Sequence, residues 1–135
     1  MGRLPFVSLY FTCGVAAAGV HLLFNADSSV PVLGASGAIA GVMAAYLVLF
    51  REARLTLMVF FRQFKVHPVV WVGIWLALQV YGLGVDSHSG GHVAFAAHMG
   101  GFAAGGLIVW CLQGTLIARH PLLRLLRSHR LVTAK

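Results

Sequence analysis

The chain has 135 residues, of which ten are basic, three are acidic and 59% are apolar. A soluble domain devotes about a quarter of its residues to charge and leaves roughly a third of its unfolded surface in water. Thirteen charges and a mean hydropathy of +0.87 cannot cover such a surface, so the chain reads as lipid-embedded, and the apolar content with only two cysteines excludes disordered, collagen-like and disulfide-stapled classes.

Uncharged runs mark the spans, because about 30 Å of hydrocarbon takes roughly 20 apolar residues at 1.5 Å each. Arg3 to Asp27 encloses 23 uncharged residues, Asp27 to Arg51 another 23, Lys65 to Asp86 encloses 20 and Asp86 to Arg119 encloses 32. The expected spans are residues 4–24, 32–50, 66–84 and 92–113. Residues 1–20 also mimic a secretory leader, with Arg3 ahead of an apolar stretch and Ala16-Ala17-Ala18 as a cleavage signal. Continuation through His21-Leu22-Leu23-Phe24 suits a retained span better. Leu55 to Phe61, bracketed by Arg54 and Arg62, is too short to cross and reads as an interfacial segment. Since only helices or closed barrels satisfy the backbone in lipid, the expected fold is an all-α bundle of four transmembrane helices. Residues 1–115 form its membrane domain and 116–135 a basic tail.

Arg3, then Arg51, Arg54, Arg62 and Lys65, and the tail residues Arg119, Arg124, Arg127, Arg130 and Lys135 fall on one side of such a bundle, while the other two loops carry only Asp27 and Asp86. The positive-inside bias makes both termini and the middle loop cytoplasmic. In the tail, leucines alternate with arginines, which suits a segment resting on anionic headgroups. The net charge of +7 does not point to nucleic acid, because the basic residues sit only beside the spans and no binding motif accompanies them.

Polar groups inside spans are costly and so are the candidate functional residues. The second run contains Gly34-Ala35-Ser36-Gly37 with Gly41 beyond it, and the fourth contains Ala97-His98 followed by Gly101 and Gly105. Small residues four apart let two helix backbones approach closely in lipid. Ser36 lies 15 residues before Arg51 and His98 15 before Gln113, so the two side chains reach similar depths. A serine hydroxyl becomes a nucleophile when a neighbouring imidazole takes its proton. Asp27 and Asp86 in outer loops and Glu52 at the inner face leave no acid for a triad, so Ser36 and His98 would act as a dyad. Gly34 lets Ser36 stand near a helix start, where free N–H groups can hold an oxyanion. The alternative is structural: Ser36 bonded to a carbonyl and His98 to another helix. His88 and His92 fall in the outer loop around Asp86, so with His98 they are not expected to share a helical face, and no cysteine is nearby; neither a metal nor another cofactor is expected.

These motifs carry a family resemblance. Gly34-Ala35-Ser36-Gly37 resembles the G-x-S-G nucleophile motif of the rhomboid intramembrane serine proteases, and Ala97-His98-x-x-Gly101-x-x-x-Gly105 resembles their A-H-x-x-G-x-x-x-G motif. The resemblance covers residues 1 to about 115, as core spans three to six of a six-span fold. It implies that Ser36 is the nucleophile, His98 the base and Gly34 and Gly37 the motif glycines at the oxyanion. Gly41, Gly101 and Gly105 are the packing positions. Substrates would be transmembrane segments of other proteins, and the location a bacterial-type plasma membrane.

Departures accompany it. The family's second span carries H-x-x-x-N donors and the loop before it a W-R motif, and neither is present here. His21 and Asn25 have the spacing but lie on the span before the nucleophile, which reads as coincidence. The expectation is a chain weakly active alone, completed by missing N-terminal spans or a partner chain. Ala40 stands where some members place an aromatic against the catalytic histidine, so a less tightly oriented imidazole is expected. The competing readings are a non-catalytic rhomboid-like protein that binds other transmembrane helices, and a small transporter, for which Ser36, Gln79 and His98 offer too thin a polar path.

Overall fold

The computed structural model describes residues 2–26, 35–50, 53–59, 61–89 and 95–119. Four helices and one hairpin follow in chain order: α1 (Arg3–Phe24), α2 (Ser36–Phe50), β1 (Leu55–Val59), β2 (Arg62–Val66), α3 (Pro68–Ser89) and α4 (Phe95–Arg119). At 22 and 25 residues, α1 and α4 are long and apolar enough to cross a membrane. The 15-residue α2 and the apolar Pro68–Gly82 part of α3 are shorter.

Side-chain size sorts inside from outside. Among the described residues, the buried apolar positions are mostly small: Ala17, Ala38, Ala40, Ala44, Ala45, Ala96, Ala97 and Cys13, joined by Leu9, Val72 and Val109. Large apolar residues such as Leu4, Phe11, Leu23, Ile74, Leu107 and Trp110 face outward. Water would drive the reverse arrangement; lipid removes that driving force and leaves close backbone packing between small residues as the main attraction. Accordingly, α4 lies against both α1 and α2.

Glycines set the register of that contact. A Cβ on Gly101 would run into the Gly37 carbonyl, and one on Gly105 into Gly41. Along α4 the partners on α2 rise in number, Gly37 then Gly41, and along α2 the partners on α1 fall, Ala17 meeting Gly37 and Cys13 meeting Gly41. Thus α2 and α4 run parallel and α1 antiparallel to both. Leu9, Cys13, Ala45 and Val109 close the end of the bundle remote from Ser36.

Local chemistry explains the helix ends. Asn25 ends α1 by donating its backbone N–H (2.9 Å) and its side-chain amide (3.2 Å) to the His21 carbonyl. Before α3, the His67 carbonyl accepts from the Val70 N–H at 3.0 Å, and Pro68 occupies the first turn, where its missing N–H costs nothing.

Two expectations are corrected. Leu55 to Phe61 is not a lone interfacial stretch: Leu55–Val59 pairs antiparallel with Arg62–Val66, from Leu55↔Val66 to Val59↔Arg62, so the fold is not purely helical. Its Thr, Val and Phe content favours pleated backbone, and the two strands satisfy one another. The turn holds Phe61 at φ 62, a left-handed conformation unusual for an aromatic residue, with its side chain 97% exposed. Secondly, Asp86 and His88 do not lie in an outer loop, because α3 continues to Ser89. A charge marks where hydrocarbon would end, whereas helical hydrogen bonding continues past that boundary. Asp27, Gly34, Arg51, Glu52, His92 and residues 120–135 lie outside the described residues.

Candidate active site

Ser36 is the first residue of α2. Among the described residues, the first backbone bond of that helix runs from the Ile39 N–H to the Ala35 carbonyl at 3.0 Å, and the N–H groups of Ser36, Gly37 and Ala38 come before it at the helix start. His98 stands on the first turn of α4. With α2 and α4 parallel and in glycine contact just below, both side chains emerge at the same end of the bundle. Ser36 Oγ and His98 Nε2 are 2.8 Å apart. The serine is exposed and the imidazole half-buried.

Gly37 is buried between α1 and α4, where a Cβ would stand 2.5 Å from the Ala17 Cβ and 3.3 Å from the Ala97 carbonyl oxygen. Gly41 meets Cys13 and the Gly101 carbonyl in the same manner. These glycines let the helices approach closely enough to set Ser36 against His98. Gly34 lies outside the described residues. Among the described residues, no group of three or more His, Cys, Asp or Glu side chains is placed to hold a metal ion.

The second imidazole nitrogen has a partner that the motifs did not reveal. His98 Nδ1 lies 2.8 Å from Oε1 of Gln79 on α3. Gln79 is only 7% exposed and, among the described residues, is the buried polar side chain of an otherwise apolar core. One turn earlier on the same face, Trp75 sets its ring 6.0 Å from the imidazole and 6.0 Å from Phe102. The expectation that Ala40 leaves the imidazole poorly held is therefore corrected: Ala40 is buried in the helix contact, and orientation comes from α3. The i, i+4 spacing of Trp75 and Gln79 was the available signal, since it places an aromatic and an amide on one face of an apolar helix. His21 and Asn25, by contrast, bond to one another at the end of α1, 3.5 Å between Nδ1 and Nδ2.

A hydroxyl facing an imidazole nitrogen, beside the N–H groups of a helix start, is an arrangement suited to acyl transfer. A family model of the Rhomboid domain matches residues 1–115. No curated protein and no solved structure matches the chain.

Proposed function

The chain belongs to the rhomboid family, and from that premise we propose that it is an intramembrane serine endopeptidase cutting transmembrane segments of other proteins with a Ser36–His98 dyad. The observation that carries this reading is the 2.8 Å approach of Ser36 Oγ to His98 Nε2 across two helices.

In this reading Ser36 attacks a peptide carbonyl as His98 Nε2 takes the hydroxyl proton. The tetrahedral oxyanion forms beside the start of α2, where the N–H groups that precede the helical ladder stabilise it. The imidazolium then gives its proton to the leaving amine, and water, activated by the same imidazole, frees the acyl-serine. No carboxylate takes part. Residues 1–115 act as a four-span membrane domain, with α2 and α3 crossing beside α1 and α4. The basic segment beyond α4 serves as a tail at the anionic headgroups of the cytoplasmic face of a bacterial-type plasma membrane, on the same side as Met1; α4 itself runs to Arg119, so residues 116–119 belong to the helix and not to the tail. The positive-inside bias supports that orientation.

The test is cleavage of a fluorogenic transmembrane peptide by the chain in liposomes. Cleavage lost in both Ser36→Ala and His98→Ala is the expected result. A membrane-bound chain that captures such peptides equally with and without Ser36, and releases no fragment, would instead be the non-catalytic binder.

A further inference from the structure

We infer that Gln79 is the positioning residue of the dyad, its side-chain carbonyl selecting the His98 tautomer whose Nε2 is free to take the Ser36 proton. The inference rests on the protease reading above and deepens it.

An amide oxygen can only accept a hydrogen bond. With Gln79 Oε1 at 2.8 Å, the hydrogen of the neutral imidazole belongs on Nδ1, which donates to it. A neutral ring carries one such hydrogen, so Nε2 presents its lone pair to Ser36 Oγ at 2.8 Å and the hydroxyl donates. The other tautomer would set the Nδ1 lone pair against the Oε1 lone pairs and point an N–H at the serine, leaving no base.

Burial makes the choice firm. An amide almost wholly enclosed in apolar surroundings loses a full desolvation penalty when its partner is removed. Trp75 flanks the ring and is itself backed by Phe102. A carboxylate at this place would orient the ring equally well, but a charge within a span is expensive. The amide supplies direction without charge.

The geometry also makes α3 the holder of the base. Its contact with α4 runs along one strip, Gly82 against Phe95, Gln79 against His98 and Trp75 against Phe102. Any displacement of α3 from that strip releases the tautomer.

The experiment uses the full chain in micelles, labelled with 15N-histidine, and reads His98 directly. Wild type should show a protonated Nδ1 and an unprotonated Nε2. In Gln79→Leu the two tautomers should mix, and the rate of Ser36 modification by a serine-directed phosphonate should fall on the order of 10- to 100-fold, the range seen when partners orienting a metal-bound imidazole are removed. Gln79→Glu keeps an acceptor oxygen in either protonation state and should restore both readouts. An unchanged His98 spectrum in Gln79→Leu overturns the inference. So does a rate lost equally in the Leu and Glu variants with the wild-type tautomer retained, which is the signature of packing alone. If the tautomer responds as expected while wild-type Ser36 resists the phosphonate, the positioning role stands and the protease reading fails.

Discussion

Gly101→Ala isolates the helix contact from the chemistry it serves. A Cβ built on Gly101 stands 2.7 Å from the carbonyl carbon of Gly37 and 3.2 Å from its Cα. Both are backbone atoms and cannot rotate aside. Comfortable carbon–carbon contact begins near 3.5 Å, and the Gly37 carbonyl oxygen is nearer still, so α2 and α4 must part by at least about 0.8 Å. Ser36 adjoins Gly37 and His98 lies less than one turn from Gly101, so the separation passes to the dyad and stretches its 2.8 Å bond to at least about 3.6 Å, beyond hydrogen-bond range. Displacements of about this size cost on the order of 100-fold in rate, and overpacking costs about 1–3 kcal/mol in stability. The assay is the second-order rate of phosphonate modification in micelles, with thermal unfolding measured alongside. Gly19→Ala and Gly114→Ala serve as controls, since their added methyl groups meet nothing within 4 Å. A Gly101→Ala protein that reacts at the rate of wild type would refute the claim that this contact sets the dyad distance.

Further outcomes follow from the same geometry. Cys13 is wholly enclosed and Cys111 exposed, so N-ethylmaleimide in micelles should modify Cys111 and spare Cys13; equal reaction of both would contradict the α1–α2–α4 packing. Replacing Phe61 by glycine removes the strain of its φ of 62 and should stabilise the hairpin by about 1 kcal/mol, read as slower amide exchange over residues 55–66; faster exchange would mean the turn is held by the aromatic ring. Acidification should slow Ser36 modification through a single protonation, because an imidazolium has no lone pair for the hydroxyl proton, and a flat profile would remove His98 from the role of base. Reporter fusions at residues 1 and 135 should fall on the same side of the membrane; opposite sides would exclude an even number of spans.

Much of the site could be read from residue spacing, and the remainder fails for identifiable reasons. Ser36 and His98 stand in short motifs whose glycines repeat every four residues, and that repeat encodes parallel close contact of two helices. The structure brings the two side chains together at the end of the bundle implied by counting from Arg51 and Gln113. Gln79 was visible only as a polar residue in an apolar run. Its meaning depends on α3 lying against α4, a long-range contact no local pattern specifies. The hairpin escaped for another reason: counting charges detects lengths that can cross lipid, and it says nothing of Leu55–Val59 and Arg62–Val66, whose pairing lies in β-branched and aromatic content. Asp86 misled because the boundary of an apolar run and the end of a helix are set by different forces, solvation in one case and backbone hydrogen bonding in the other.

The most direct test of the account is to treat the full chain in micelles with a serine-directed phosphonate and locate the adduct by mass spectrometry of its peptides. The account predicts a single adduct on Ser36, absent from His98→Ala and unaffected in Gly114→Ala. An unmodified Ser36 in the folded protein, or an adduct that persists at full rate without His98, would contradict it.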